Sequence, residues 1–436
     1  MKKTHLIVPL VLLICACTHK ENTVASSLPD MSAVRANLAF TCTRESEHLP
    51  PLDPKADALF QYGRYLQKKD GPKDFNDIAR YYRIAAAYGH YKANHNAQLL
   101  VSQGLADSPD SPKETIALAA QLVEQGIPGG YFDIGHYLEA GYGLKQDAEM
   151  ALRYFRKAAD LGSPDAQAYV GKLLAPLEKA PAIARQMRQC ATDQGFGEAA
   201  SALGIDLSGD KIYPDAVKAF QKGVEAGSVQ SASFLEHGFK GPPASEHLYY
   251  LGLQNDPERS RRYELIGRFL DSNDGRNPMV PDIDKIVPLP PAKLPPWDGT
   301  FQWQKEQDAA VSPQKPSEEL IDQLAKAKHL DPATGLPLAG MSGKLSQEEQ
   351  PTDVTVRLPL GTVANTGERC PEDGVWCAKA KEGQIGDTQR RFVKGDTLPP
   401  LVVQEPRTLS FLDSLMGKRQ QTSQVAWQLV AYIDQA

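Results

Sequence analysis

Six cysteines and nine histidines are the residues of this 436-residue chain best suited to nucleophilic, redox or metal chemistry. Their spacing argues against most of it. His90 and His95 stand five apart across an expected helix break, missing the i,i+4 spacing that puts two ligands on one helix face. His237 and His247 are separated by a Gly-Pro-Pro turn. The short pair Cys370 and Cys377 lacks the second pair, or nearby histidine, that a tetrahedral zinc site needs. A nucleophile elbow needs G-x-S-x-G on a strand-to-helix turn, and the run Gly340-Met341-Ser342-Gly343-Lys344 lacks the final glycine. No phosphate-binding Gly-rich loop ending in Lys-Ser/Thr, no HExxH and no EF-hand ladder occurs. Asp282 and Asp284 would share a face on a strand, but they read as solvated carboxylates rather than an acid/base pair. We expect no catalytic residue, no metal and no cofactor.

What could position such residues follows from composition. With 41% hydrophobic residues the chain can build real cores, and 436 residues allow two to four domains. A formal charge of -6, from 48 basic and 54 acidic residues, offers no basic stripe to neutralise phosphates, so nucleic acid is excluded as the expected partner. At the N-terminus, Lys2 and Lys3 precede an apolar stretch from Leu6 to Ile14, an export signal too short to span a bilayer. The run Ile14-Cys15-Ala16-Cys17 resembles the bacterial lipobox. That resemblance implies cleavage after residue 16, lipidation of Cys17 and, with Thr18 next to it, an outer-membrane, periplasm-facing location. With Cys15 removed and Cys17 acylated, Cys42, Cys190, Cys370 and Cys377 remain in a compartment that permits disulfides. Three pairings are possible. Cys370 and Cys377, flanked by Pro371 and Gly374, favour a hairpin-closing bridge, which leaves Cys42 with Cys190 by default.

The body of the chain carries a ruler. Gly89, Gly126, Gly162, Gly195 and Gly227 recur every 32 to 37 residues, each at the end of an Ala-rich or aromatic helical stretch. Four positions after each stands a small residue: Ala93, Gly130, Ala166, Ala199 and Ser231. Nine positions on, Gly135, Gly171 and Gly204 would let neighbouring helices approach closely, while Gln98 and Glu236 depart from the rule. The segment from Ile134 to Gly171 resembles the Sel1-like repeat, a relative of the tetratricopeptide repeat, in Gly141, Gly143, Asp147, Tyr154, Phe155, Lys157, Ala158, Ala159, Gly162, Ala166 and Gln167. The resemblance implies a protein-binding scaffold of five or six helical hairpins, stacked with a concave row of first-helix positions. Two slots of that row, an i,i+4 pair, hold Phe60 with Arg64, His95 with Leu99, Phe132 with His136, Ala168 with Lys172, Ser201 with Ile205 and Ser233 with His237. We take Phe60, Arg64, His95, Phe132, His136, Lys172 and His237 as candidate partner-binding residues.

After the repeats the composition changes. The stretch from Pro278 to Pro296 is too rich in proline for a helix and is expected as an extended strap, with Trp297, Phe301 and Trp303 as anchors. Residues 282–306 are similar to an uncharacterised extension of proteobacterial repeat lipoproteins. Beyond a helix expected over 318–328, alternating runs such as Val354–Leu358 and Gln424–Val430 read as strands. Residues 367–400 resemble a short β module associated with type VI secretion effectors. The usual form of that module separates its Trp from its second Cys by one residue, whereas Trp376 and Cys377 are adjacent here.

The expected fold is mainly α: a right-handed solenoid of Sel1-like hairpins, a proline-rich strap and a small β-rich C-terminal domain. Its divisions are 1–16 signal, 17–50 lipidated tether, 51–275 solenoid, 276–316 strap and 317–436 small α+β domain. The resemblances imply a non-enzymatic, protein-binding lipoprotein, an immunity protein against a type VI secretion effector, with a lipase as the candidate toxin. The alternative is an envelope scaffold assembling endogenous proteins.

Overall fold

The computed structural model describes residues 39–177, 179–338, 358, 361–378, 384–385, 388–405 and 419–432. The signal segment, Cys17 and the run around Ser342 lie outside them. Helices α1 (Pro54–Lys68) and α2 (Phe75–Ala86) pack together, as do α3 (Tyr91–Ser102) and α4 (Ser111–Glu124), and α5 (Pro128–Ala140) and α6 (Ala148–Asp160). The series continues with α7 (Pro164–Leu174) and α8 (Pro181–Asp193), α9 (Gly197–Gly209) and α10 (Tyr213–Glu225), and α11 (Val229–Gly238) and α12 (Pro257–Ser272). Each second helix also packs on the next first helix, so the hairpins stack into a solenoid.

Local chemistry sets these boundaries. All five ruler glycines take positive φ, from 71° at Gly126 to 101° at Gly162, the left-handed conformation that ends a helix without a Cβ clash. Ser163 then accepts from the Ala166 N–H and Pro164 fills the first turn of α7, where its missing N–H costs nothing. Asp147 caps α6 in the same way through Met150. At the packed faces, a Cβ on Gly135 would stand 2.5 Å from the Phe155 ring, and one on Gly204 2.5 Å from Phe220. The two repeats thus share one contact, a first-helix glycine against a second-helix aromatic ring.

The strap fills the valley between α10 and α12. Val280, Ile283, Ile286 and Val287 are buried there with Phe220, Tyr263 and Ile266. Prolines donate no backbone hydrogen bond, so the strap offers mainly carbonyls, and donors on the helices meet them. Gln221 donates to the Val287 carbonyl at 3.1 Å, and Arg262 to those of Ile286 at 2.6 Å and Pro295 at 2.9 Å. Phe301 stacks on Phe269 with centroids 3.9 Å apart, Trp303 meets the same ring edge-on, and Trp297 meets Phe301 edge-on. The strap is not extended throughout: Ile283–Ile286 forms one helical turn (α13) and Gln302–Ala309 a short helix (α14).

Helix α15 (Glu318–Ala327) does not join a separate C-terminal domain. Ile321, Leu324 and Ala325 share one core with Leu59, Ile78 and Tyr81 of the first repeat, and the Tyr88 hydroxyl donates to the Leu324 carbonyl at 3.0 Å. Among the described residues no repeat precedes the first, and an amphipathic helix from later in the chain covers its outer face. The boundary expected at 316 therefore moves to about 338. Only residues 310–317 link α14 to α15, a reach of roughly 29 Å at most, so the solenoid bends until its ends approach. Lys68 at the first end accordingly feels the charge of Arg276 at the other, which, after burial, helps lower its pKa.

The expected tether is also shorter than its assigned range. Residues from Ala39 to His48 form a clasp on the valley between α6 and α8, held by a disulfide between Cys42 and Cys190. The Ala39 carbonyl accepts from Arg156 at 2.8 Å, the Thr43 carbonyl from Gln167 at 3.0 Å, and the Glu45 N–H donates to Gln194 at 2.9 Å.

The described strands of the C-terminal module are β1 (Val363–Asn365), β2 (Gly374–Ala378), β3 (Gln384–Ile385), β4 (Gln389–Phe392), β5 (Leu401–Glu405), β6 (Arg419–Ser423) and β7 (Ala426–Tyr432). They form two antiparallel sheets, ordered β1-β7-β2-β4 and β3-β5-β6. Trp376, Trp427, Phe392, Leu429 and Cys370 form its core. The expected bridge between Cys370 and Cys377 does not form: both are free thiols. Side chains alternate along a strand, so adjacent Trp376 and Cys377 face opposite ways. Trp376 faces the core that holds Cys370, opposite Leu429, whereas Cys377 sits opposite the exposed Gln389 and Gln428. The missing spacer between Trp and Cys is the physical reason. The module docks on α6 through a hydrogen bond of 2.8 Å from Tyr154 to Asp373, an ion pair of Arg391 with Asp147, and Arg153 over the Phe392 ring.

Candidate protein-binding face

The seven candidate residues do not form one uniform row. The second of the two slots behaves alike along the stack: Leu99, Lys172 and Ile205 are exposed, and Arg64, His136 and His237 are half-buried. The first slot does not. His95 is exposed and Phe132 half-buried, but Ser201 is buried, bonded to Ser228 and Ser231. Phe60 is a correction: it is only 8% exposed, its ring 4.4 Å from that of His90, and it belongs to the core of the first repeat. Its cover is the Tyr82 ring of α2 and the His90 ring that precedes α3.

Two groups stand out on the face. In the first, Phe132 and His136 on α5 and Tyr169 on α7 surround the ring of buried Phe155; His136 lies 4.8 Å from Phe155 and 5.5 Å from Tyr169. Glu139 accepts from the Tyr169 hydroxyl at 2.9 Å and pairs with His136 at 3.4 Å. The result is a half-exposed aromatic cradle with a carboxylate at its rim. In the second, His95 on α3 lies 3.0 Å from Asp133 on α5. Burial alone would lower the His95 pKa, but the Asp133 hydrogen bond and charge, helped by Asp165 and Glu45, outweigh it and hold it raised. Burial also raises the carboxyl pKa values of Glu45 and Asp165, which repel one another. The clasp thus brings its own carboxylate up to this cluster.

Asp133 and Tyr169, which the slot argument missed, are both seven residues after a ruler glycine, one position beyond the first slot. That common offset was the signal that could have found them. His237 stacks on Tyr249, 4.4 Å between centroids, and Lys172 is exposed one turn after Tyr169. His90, by contrast, is a buried cap: its Nδ1 accepts from the Ala93 N–H at 3.1 Å, and burial lowers its pKa. Among the described residues no group of three or more His, Cys, Asp or Glu side chains is arranged to hold a metal ion.

Hairpins of this register, with a left-handed glycine at each turn and a small residue four positions later, decide the repeat type. The solenoid is built of Sel1-like repeats. Residues 231–338 match a domain of unknown function, DUF6396, a span that runs from α11 through the strap and α15. No curated protein matches the chain. Among solved structures, the chain is similar to the immunity protein Pa5087 from Pseudomonas aeruginosa, with 31% identity over 58% of this chain and 95% of that one and a TM-score of 0.47. It is also similar to the immunity protein PA5088 of the same organism, at 27% identity over 58% and 94% of the two chains, TM-score 0.48. A Sel1 repeat protein from Oxalobacter formigenes is similar at 20% identity over 49% and 87%, TM-score 0.40.

Proposed function

We propose that this protein is a non-enzymatic immunity lipoprotein, anchored through Cys17 in the outer membrane, that neutralises a type VI secretion effector in the periplasm. The observation that carries the binding role is the first-helix face: His95 and His136, with side chains 46% and 43% exposed, flank the aromatic cradle of Phe132 and Tyr169. Aromatic groups beside charged ones are the side chains from which interface hot spots are drawn. The two Pseudomonas chains to which this one is similar are immunity proteins. For this chain it is the reading advanced here, with a lipase as the candidate toxin. A lipase must reach a membrane surface, and an inhibitor tethered at that surface is concentrated where it is needed. Neutralisation then proceeds by occlusion or locking of the toxin.

The test is co-expression of the protein encoded by the neighbouring gene, directed to the periplasm, with and without this protein. Survival only in its presence is expected, and equal killing rejects the immunity role. His136→Ala tests the face, with an expected loss of about 2 kcal/mol or more in binding. Because His136, like Phe132, packs on the Phe155 ring, melting is measured beside binding: lost binding with unchanged melting supports the face, and a large fall in melting marks a core residue.

A further inference from the structure

The second-helix ends and the glycine turns that follow them form one edge of the solenoid, divided into valleys between successive repeats. Two of these valleys are filled by other pieces of the chain itself, which run outside regular helix where they cross the glycine turn and turn helical just after it. The clasp lies between α6 and α8, and its Arg44–Glu45 peptide crosses Gly162 so closely that a Cβ there would stand 2.5 Å from the Arg44 carbonyl carbon. The strap lies between α10 and α12, and the Pro278 carbonyl oxygen would stand 2.2 Å from a Cβ on Gly227. Val280 then donates to the Glu225 carbonyl at 3.0 Å. In both valleys side chains of the helices donate to carbonyls of the crossing segment, Gln167 to Thr43 and Gln221 to Val287.

Among the described residues the valley between these two, α8 against α10, is open. It holds a cavity of about 230 Å³ lined by Thr192, Asp193, Gly195, Lys222, Glu225 and Ala226, with Met279 of the strap at its end. Gly195 has the same left-handed turn, φ 80°, and no atom within 4 Å of where a Cβ would stand. The Lys222 ammonium, half-exposed and resting on Asp193 at 2.9 Å, can turn to a carbonyl crossing the valley.

We propose that this middle valley is a docking site for an extended, proline-bearing peptide segment of a partner protein, its backbone crossing Gly195 as the clasp crosses Gly162 and the strap crosses Gly227. The side chain that glycine lacks is what admits the peptide plane. The cavity is below the roughly 300–1,000 Å³ of ordinary small-molecule sites, a size suited to a short stretch of main chain. Lys222 supplies the donor that Gln167 and Gln221 supply next door. The site is independent of the first-helix face and of the immunity role.

The probe is a fluorescein-labelled peptide with the sequence of Asn277–Val287, titrated with the full chain and followed by anisotropy. The neighbouring valleys are closed to it, one by a disulfide and the other by a segment held at the high effective concentration of an intramolecular contact. Saturable binding is expected, weakened at least about tenfold by Gly195→Asn. Asn tolerates the left-handed turn and places a side chain where the peptide plane would cross. Lys222→Glu, with melting measured alongside because it also breaks the ion pair with Asp193, is expected to weaken binding as well. No saturable binding up to about 1 mM overturns the proposal, as does binding that both variants retain. Should Gly195→Asn fail to fold, Lys222→Glu decides alone: weakened binding supports the site and unaltered binding overturns it.

Discussion

The clasp and the β module each bring a pair of cysteines together in opposite senses. Cys42 and Cys190 are 148 residues apart and bonded. Cys370 and Cys377 are near neighbours in sequence and free. In the clasp, a coil crosses a helix end and one thiol meets another across the valley. In the module, an extended strand turns consecutive side chains to opposite faces, so a single residue decides whether Cys377 meets Cys370 or solvent. Closeness along the chain therefore matters less than which side of an element a residue leaves. The same contrast separates the energetics: the clasp is held by a covalent link and carbonyl contacts, the module by two buried tryptophans.

The largest test of that contrast is Trp376→Ala. Trp376 is fully buried, its indole N–H donating to the Glu372 carbonyl at 3.1 Å, and its loss should cost about 3–5 kcal/mol. The near-ultraviolet signal of the module is expected to disappear while the far-ultraviolet helical signal stays. Loss of both would mean that module and solenoid unfold as one unit. Next in size is the double variant Cys42→Ser with Cys190→Ser. Opening a link across 148 residues should lower stability by about 2–5 kcal/mol in denaturant unfolding, and accelerate proteolysis within residues 39–48. An unchanged midpoint would show that the carbonyl contacts suffice.

A smaller effect is expected at His95. Its pKa is raised in the folded protein, so the stability it contributes is fully present below about pH 6.5 and is lost as pH rises through the raised value. The stability gap between the native protein and His95→Gln should therefore narrow with rising pH, from at most about 1 kcal/mol for a pair this exposed. A gap that widens with pH would contradict the pairing with Asp133. The smallest effect concerns the thiols of the module. Burial pushes the Cys370 thiol up to about 12, while Cys377 is half-buried on the outer face. Since the thiolate is the nucleophile, iodoacetamide at about pH 8 should modify Cys377 in the native protein and spare Cys370. Cys377→Ser should shift stability by less than about 0.5 kcal/mol. A mass that shows neither thiol alkylated after denaturation without reductant would mean that the bridge exists after all.

How much of this was legible depended on whether a feature is local. The helix ends at Gly89, Gly126, Gly162, Gly195 and Gly227, the close approach at Gly135 and the anchoring role of Phe301 followed from residue type and period, because a left-handed turn, a missing Cβ and an aromatic ring impose the same demand wherever they stand. The exposure of Lys172 followed from the same period. Tertiary structure alone decided which long-range segments cover the repeats. Nothing near Leu59 or Ile78 announces that α15, more than 230 residues later, will join their core. Nothing near Gly162 announces that Arg44 will cross it. Periodicity constrains neighbours one or two turns apart, whereas the choice of cover depends on the apolar face that the whole stack leaves open and on where the returning chain can reach.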